Sequence, residues 1–362
     1  MKQVSRTLFI LLLPIAAIVG AWQSWAWWSW ASSPPIAPSD SATEPESLDR
    51  QVQIKIETGT SARQIGQDLA ALGVIRSPLA WNLWARWLAL RNETGDFQAG
   101  TYDLSLTDSL QDTAGKIWDG EVVQQSFTIP EGWNLRQMAD YFASQGFFPA
   151  ADFLEQAQQI PRDRFPWLPE GLPHLEGYLY PNTYQLPSDR LTPTAVIDMM
   201  LRQFETTALP LWEAAREQTS LSFNDWVTLA SIVEKEAAIP EERPLIAGVF
   251  TNRLNRGQKL EADPTVEYGL NIRQTADQPL TLAQVRTPSP YNTYVNPGLP
   301  PTPIAAPGKA SLAATLEPEP TEYIFFVARY DGTHVFSRTL AEHEAAVRRI
   351  RQERNNQAQP SS

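Results

Sequence analysis

The chain has 362 residues and a formal net charge of −12 at pH 7, which argues against nucleic-acid binding because that function needs a basic surface. It contains no cysteine, so disulfides and thiol chemistry are excluded. Its three histidines, His174, His334 and His343, show no metal-ligand spacing, and the sequence has no glycine-rich phosphate loop. We therefore expect neither a metal nor a cofactor.

The first predicted element is an apolar segment from Thr7 to Ala26. About 20 residues at about 1.5 Å each match the roughly 30 Å hydrocarbon core of a bilayer. Lys2 and Arg6 precede the segment, which predicts a cytoplasmic N-terminus. Tryptophans crowd its far end, as in an interfacial aromatic belt: Trp22, Trp25, Trp27, Trp28 and Trp30. We predict an uncleaved transmembrane anchor at 1–31, and the alternative is a cleaved signal peptide.

Residues 32–50 combine prolines, serines and four carboxylates, a composition typical of a flexible tether. An internal repeat with a 73-residue spacing follows, with one copy at 56–73 and the other at 129–146. Each copy predicts a short strand, a glycine turn and a helix closed by glycine. This pattern resembles the LysM-like modules that bind the glycan backbone of peptidoglycan or chitin. We therefore expect a LysM-like, membrane-proximal domain at 51–160; the alternative is a strand–glycine–helix unit without sugar binding.

Four prolines in 161–173 mark the start of a second predicted domain, at 161–352, and the polar tail at 353–362 is predicted to be disordered. The central element of this domain is a predicted helix that opens at Ser222, with Asp225 three residues later as in a capping box. Apolar residues then recur at helical spacing: Trp226, Leu229, Ala230, Val233 and Ala237.

Two carboxylates, Glu234 and Glu236, lie on opposite flanks of this apolar stripe, roughly 80° from its centre. Burial at such a margin raises the pKa of a carboxyl, as a general acid near neutral pH requires. The same pattern also describes a solvated Glu-Lys-Glu surface. Helical periodicity cannot choose between the two glutamates.

Several polar, turn-rich blocks accompany the helix in a fixed order: 176–184, 229–237, 260–266, 289–294, 298–304 and 332–337. Together they resemble the endolytic murein transglycosylase family (MltG, also called YceG-like), most strongly over 229–337. The resemblance implies a lyase that cleaves glycan strands internally between N-acetylmuramic acid and N-acetylglucosamine. Such an enzyme leaves a 1,6-anhydro-muramyl end and consumes no water.

The resemblance also implies the site residues. Its catalytic glutamate corresponds to Glu236, acting first as acid and then as base, and Glu234 matches a supporting position. Further candidates for substrate binding or support are Glu176, Asp263, Tyr291, Asn292 and Thr293. Each has a structural alternative, such as a turn at Asp263 or a loop latch at 291–294. Asn182 stands where family members commonly carry aspartate, which removes a charge but keeps hydrogen-bonding capacity.

We therefore predict an α+β protein with an N-terminal transmembrane helix, LysM-like strand–helix modules and a mixed α+β catalytic domain. The resemblance implies a single-pass protein of the bacterial inner (plasma) membrane, with its catalytic domain outside the cytoplasm. Its expected partners are peptidoglycan glycan strands and, through the family, penicillin-binding peptidoglycan synthases; nucleic acid is not expected. The alternatives are a hydrolytic muramidase and a non-enzymatic, peptidoglycan-binding membrane scaffold.

Overall fold

The computed structural model describes residues 2–36, 51–91, 95–275, 278–329 and 331–358, with the side chains of 2–14, 190 and 355–358 left out of that description. Most of the predicted tether, at 37–50, and the last residues of the predicted tail, at 359–362, lie outside the described residues. The chain divides into two compact units, one comprising Met1–Ser126 with Gln185–Leu191, the other Phe127–Tyr184 with Thr192–Ser362. The expected domain ranges, with a boundary at 160/161, stay a prediction.

The first unit begins with α1 (Lys2–Ser32), a helix of 31 residues. In the described part of the chain, no helix has the length and apolar character that a membrane crossing requires. The predicted span at 7–26 falls partly on residues whose side chains lie outside the description. The membrane anchor therefore remains a proposal.

The rest of the first unit is a strand–helix–helix–strand arrangement followed by a helix. Its elements are β1 (Gln51–Ile56), α2 (Ala62–Ala71), α3 (Pro78–Arg91), β2 (Gly100–Ser105) and α4 (Leu110–Asp119). β1 and β2 pair antiparallel, from Gln51 opposite Ser105 to Ile56 opposite Gly100. The core between sheet and helices is built on large buried side chains, among them Trp81 and Tyr102.

The same order of elements recurs further along the chain. They are β3 (Gln124–Thr128), α5 (Leu135–Ser144), α6 (Ala150–Gln156) and β4 (Thr183–Pro187), and β3 pairs with β4. The two helices belong to the second unit, and each strand contains residues of both units. Like α2, α5 has ten residues, and its first residue lies 73 positions beyond that of α2. Both helices are capped by a polar side chain, Ser61 in α2 and Asn134 in α5. The arrangement does not by itself identify a LysM module.

The remainder of the second unit is mainly helical. It comprises α7 (Pro193–Thr207), α8 (Leu209–Ala215), α9 (Phe223–Glu236), α10 (Arg243–Asn255), α11 (Asp263–Leu270), α12 (Leu282–Val285), α13 (Lys309–Leu316), β5 (Phe325–Ala328), β6 (His334–Ser337) and α14 (Leu340–Ala358). β5 and β6 form an antiparallel pair, with Phe325 opposite Ser337. The protein is therefore mixed α+β: helices dominate, and the sheets in its described part are two-stranded.

Helix α9 is the centre of the second unit. It begins where Ser222 accepts a hydrogen bond from the Asp225 N–H at 3.1 Å, as the capping pattern predicted. Every residue from Trp226 to Val233 is buried, because α10, α11 and α13 all pack against the helix. The helix is therefore not amphipathic over that stretch, in contrast to the sequence prediction. It ends at Glu236, since Ala237 leaves helical geometry and Pro240 follows.

Candidate active site

A cleft of about 1050 Å³ opens in the second unit at the end of α9. It is lined by the C-terminal end of α9, by α11, by the turn before α5 and by the β5–β6 pair. The charged and aromatic residues that line it include Glu131, Trp133, Arg136, Glu236, Glu261, Asp263, Glu267, Tyr268 and Tyr294. A groove of this size with aromatic and polar walls is suited to a ligand with both apolar faces and hydroxyl groups.

Glu236 is the last residue of α9 and lines this cleft. Its carboxyl makes no hydrogen bond or ion pair with any other residue that the structure describes. Burial raises the pKa of Glu236 to about 8, and the nearby carboxylates of Asp263 and Glu267 add to the rise. At neutral pH the carboxyl is therefore mainly protonated and able to donate a proton.

Glu234, two residues earlier, has a different environment. Its Oε1 accepts a hydrogen bond from Arg243 Nη2 at 3.1 Å. Its Oε2 accepts from the Gly308 N–H at 3.0 Å and from the Ser311 hydroxyl at 2.7 Å. Glu234 thereby connects α9 to α10 and α13, and its oxygens are already occupied by protein donors.

Asp263 faces the cleft from the first position of α11. Its Oδ1 accepts a hydrogen bond from the Tyr294 hydroxyl at 2.6 Å, and its Oδ2 accepts from Gln274 Nε2 at 3.2 Å. One helical turn on, Glu267 accepts from the backbone N–H of Gln274 at 2.6 Å. These two carboxylates are thus held in fixed positions on the cleft wall by neighbouring donors.

The loop that leads into α11 is fixed by a buried arginine. Arg253 donates to the carbonyls of Lys259 and Leu260 at 2.9 and 3.0 Å, and to Glu261 Oε2 at 2.9 Å. Glu261 has a left-handed backbone, with φ 53°, which costs a non-glycine residue about 1–2 kcal/mol. The Arg253 contacts offset that cost and set the direction in which Asp263 enters the cleft.

Asn292 and Thr293 are buried beneath the cleft and are not among the residues that line it. Asn292 donates from Nδ2 to the carbonyls of Val285 and Thr287 at 2.9 and 2.8 Å. Thr293 accepts a hydrogen bond from the Ala262 N–H at 3.0 Å. Thr293 therefore fixes the loop that carries Tyr294 to the start of α11, and Asn292 fixes it to the end of α12.

Glu176 and Tyr291 also lie behind the cleft wall. The Glu176 carboxylate accepts from the Leu135 N–H at 3.1 and 3.2 Å and from the Tyr268 hydroxyl at 3.0 Å. Burial raises the pKa of Glu176 to about 7, although these donors oppose the rise. The Tyr291 ring packs edge-on against Tyr268 at 4.8 Å, and its hydroxyl contacts Thr302 Oγ1 at 2.9 Å. The pair supports Tyr268, which does line the cleft.

His334 and Asn182, which the sequence analysis also considered, are both hydrogen-bonded within the protein. Nδ1 of His334 lies 2.6 Å from Glu242 Oε2, and its backbone N–H donates to Oε1 of the same residue at 3.0 Å. Asn182 is exposed, accepts a hydrogen bond from its neighbour Thr183 and does not line the cleft. An aspartate at this position would therefore not add a charge to the cleft wall.

Sequence reasoning did not single out Glu267, Gln274 or Tyr294. Glu267 had a local signal, because it follows Asp263 by four residues and so shares its helix face. Tyr294 stands at the end of the possible loop latch at 291–294, yet its hydroxyl is the donor that holds Asp263. Gln274 had no signal, since its two partners become apparent only once the chain has folded back after α11.

A family model described as YceG-like matches residues 54–349 of the sequence. The chain belongs to the YceG-like family. Two proteins named endolytic murein transglycosylase support this assignment. The one from Streptococcus pneumoniae serotype 2 (strain D39) is 31% identical over 328 residues, which are 82% of this chain and 58% of that protein. The one from Bacillus subtilis (strain 168) is 30% identical over 311 residues, 82% of this chain and 83% of that protein.

The chain thus spans little more than half the length of the Streptococcus relative. A 2.6 Å crystal structure of a yceG-like protein from Listeria monocytogenes aligns with a TM-score of 0.55 at 31% identity, over 82% of this chain and 99% of that one. The mixed α+β fold is therefore that of the YceG-like family.

Proposed function

We propose that this YceG-like protein is an endolytic lytic transglycosylase of peptidoglycan, a lyase that cleaves the linkage between N-acetylmuramic acid and N-acetylglucosamine and leaves 1,6-anhydro-muramyl ends. The observation that carries the proposal is the state of Glu236. Its carboxyl lines a cleft, is unpartnered among the described residues, and has a pKa raised to about 8. The names of the relatives point to the same activity.

Glu236 acts twice in the proposed reaction. It first gives its proton to the glycosidic oxygen as the bond between that oxygen and the muramyl anomeric carbon breaks. The resulting carboxylate then removes the proton from the muramyl 6-hydroxyl while the oxygen of this hydroxyl bonds to the anomeric carbon. The proton lost in the first step is thereby recovered, and no water is consumed. Because the nucleophile belongs to the substrate, the ring closure is intramolecular and outcompetes hydrolysis.

The contacts of the other cleft carboxylates favour a lyase over a hydrolytic muramidase. A hydrolase usually needs a second carboxylate as nucleophile or base. Asp263 and Glu267 accept hydrogen bonds from neighbouring residues, and Glu261 pairs with Arg253 at 2.9 Å. Glu131 also lines the cleft and has an ion pair with Arg243 at 3.9 Å. Among the carboxylates in the described cleft wall, Glu236 alone has neither a hydrogen bond nor an ion pair. One free carboxyl is what the lyase mechanism requires.

The proposal extends to the setting of the enzyme. The apolar segment at 7–26 and the tryptophans after it support a single-pass anchor in the bacterial inner membrane. The strand–helix–helix–strand arrangement at 51–105, and its repeat, support LysM-like glycan binding. Association with penicillin-binding synthases rests on the family resemblance. In this setting the substrate is a glycan strand close to the membrane.

Product analysis tests the activity. Purified peptidoglycan digested with the full-length protein should give internally cut strands with anhydro-muramyl ends, identified by mass spectrometry. Glu236→Gln should reduce cleavage by about 10²- to 10⁴-fold and retain glycan binding. Reducing muramyl ends without anhydro product would show that the enzyme is a hydrolytic muramidase and not a lyase. Glycan binding without cleavage by the wild type would support a scaffold, and full activity of Glu236→Gln would reject the assignment of the acid.

A further inference from the structure

Helix α3 of the first unit is apolar on two faces. Its inner face is buried through Ala80, Trp81 and Ala85. A second set of large apolar side chains, which we call the outer stripe, is exposed: Leu79 at 60%, Leu83 at 46%, Trp87 at 41% and Leu90 at 83%. A helix that is apolar all round is usually enclosed by protein or faces lipid. The core of the first unit thus explains why the inner face of α3 is apolar, but it does not explain the apolar outer stripe.

The outer stripe has helical spacing. Its members follow one another by four, four and three residues, so at about 100° per residue they fall within about 80° of the helix circumference. Trp81 and Ala85 lie on the opposite side of the helix, and Ala80 lies beside the edge of the stripe that Trp87 forms. Four large apolar side chains on one narrow face form a continuous patch, which scattered exposed apolar residues do not.

The outer stripe is connected to α1 by aromatic contacts. The Trp28 ring lies 6.2 Å from the Trp84 ring, which stacks on Trp87 at 4.5 Å. Ala31, at the end of α1, is fully buried in the core of the first unit. Arg76 then holds Pro34, the second residue after the helix, by donating to its carbonyl at 3.0 and 2.7 Å. The end of α1 is therefore fixed against α3 rather than joined to it by a loose tether.

The described part of α1 carries its own exposed apolar face. Ile15, Ile18, Trp22 and Trp25 are exposed and follow one another by three, four and three residues, a helical stripe. A groove lined by Trp27, Trp28 and Leu83 lies between the two helices. Apolar side chains of α1 and α3 therefore meet at this groove, within the first unit.

The charge of α3 matches an anionic surface. The helix carries two arginines and no carboxylate, in a chain whose net charge is −12. Arg86 is exposed and has no hydrogen bond or ion pair with another described residue, while the Arg91 guanidinium lies 5.0 Å from the centre of the Trp87 ring. Tryptophan together with arginine is the composition of segments that lie in the headgroup region of a bilayer.

We propose that the outer stripe of α3 lies in the outer headgroup region of the bilayer that α1 enters, with Arg86 and Arg91 on anionic lipid. This inference rests on the proposed membrane anchor. The stripe gives the first unit a second attachment to the lipid surface, beside α1, and so fixes that unit's orientation on the membrane. A single helix without such an attachment would leave the unit free to tilt.

The absence of cysteine in the chain makes single-site labelling direct. Four single-cysteine variants of the full chain would be labelled with the environment-sensitive fluorophore NBD and reconstituted in vesicles containing phosphatidylglycerol. Leu83→Cys and Leu90→Cys report on the outer stripe, and Ile18→Cys reports on the anchor. Leu72→Cys, at the end of α2, is the matched control, because Leu72 is also an exposed leucine of the first unit, at 44%.

If the inference is correct, the labels at 83 and 90 emit at shorter wavelength than the label at 72. They are also quenched by doxyl groups on lipid chains, whereas the label at 72 is quenched by aqueous iodide. Quenching at 18 without quenching at 83 and 90 would overturn the inference and leave the anchor in place. A label at 18 that lipid does not quench would reject both the inference and the membrane anchor.

Two further results would also overturn the inference. A blue shift at 83 and 90 without lipid quenching would mean that protein covers the stripe, either a second copy or another segment of the chain. Equal lipid quenching at 72 would mean that the unit contacts lipid without a preferred face. Product analysis on soluble glycan is independent of all four labels and reports separately on the proposed activity.

Discussion

Arg243 and Glu234 form a buried ion pair, with Nη2 3.1 Å from Oε1 and side chains that are 13% and 6% exposed. Glu234 lies two residues before Glu236, which has no such partner in the described part of the protein. Carboxylates that are equivalent in the helical pattern are therefore different in the fold. Glu234 connects helices, and Glu236 is free to exchange a proton with a ligand.

The first prediction separates these two glutamates by stability. Glu234→Ala takes from the buried Arg243 its closer carboxylate, leaving it Glu131 at 3.9 Å and Ser311 at 3.0 Å, and removes the acceptor of Gly308 and Ser311. The free energy of unfolding should therefore fall by about 3–5 kcal/mol. Glu236→Ala removes a carboxyl without protein partners and should not lower it. Denaturant unfolding followed by tryptophan fluorescence measures both. A larger loss for Glu236→Ala than for Glu234→Ala would contradict the proposed division of roles.

The second prediction concerns the pH dependence of cleavage. Proton donation requires the protonated form of Glu236, whose pKa is raised to about 8. The rate should therefore hold through neutral pH and fall as pH rises through about 8. Initial rates of anhydro-muramyl product formation between pH 3 and 10 would show this fall on the basic side of the profile. A rate that falls instead between pH 4 and 5 would mean that the acid has the pKa of an ordinary glutamate.

The local signals in the sequence were sufficient for much of this fold. Ser222 with Asp225 predicted the start of α9, and the 73-residue spacing predicted the second helix of the repeat, α5. These features depend on residues within a few positions of one another, or on a repeat visible in the letters. The α+β class and the YceG-like family could also be predicted, because the family's blocks stand in order along the chain.

Which polar residues line the cleft and which support the fold could not be predicted from the local sequence pattern. Glu234 is engaged by donors 74 and 77 residues away, at Gly308 and Ser311. Asn292 and Thr293 stand in a polar block that suggests a sugar-binding wall, yet their partners are buried backbone groups. Such roles depend on which distant segment packs on which side of a residue. Periodicity holds no information about that choice.

The third prediction tests how the cleft sets the proton affinity of Glu236. Asp263 is the largest charged contributor to the raised pKa of Glu236, after burial. Asp263→Asn removes this negative charge and so should lower the pKa of Glu236 and move the basic limb of the pH–rate profile to lower pH. Activity at pH 8 should then fall by a larger factor than activity at pH 6.

Glu261→Gln is the matched control for this shift. Glu261 also lines the cleft, but it is paired with Arg253 and is not among the causes of the raised pKa of Glu236. Its replacement should leave the position of the basic limb unchanged, whatever it does to the maximal rate. If both variants move the limb equally, the shift reflects the general charge of the cleft rather than the place of Asp263.

The fourth prediction concerns Glu176, which is 2% exposed and supports the cleft wall through Leu135 and Tyr268. Burial raises its pKa in the folded protein to about 7, above the ordinary value of a glutamate. The protonated form is therefore favoured by folding. Its contribution to stability is complete below the unfolded pKa and is lost as pH rises through about 7.

Glu176→Gln keeps the shape of the neutral side chain and cannot ionise. Between pH 4 and pH 8, the difference in unfolding free energy between wild type and variant should therefore shift in favour of the variant, by at most roughly 3 kcal/mol. Denaturant unfolding of both proteins at the two pH values measures this, and all other titrating groups cancel in the difference. A gap that does not change with pH would show that the Glu176 carboxyl has the same proton affinity folded and unfolded, and that its role is hydrogen bonding alone.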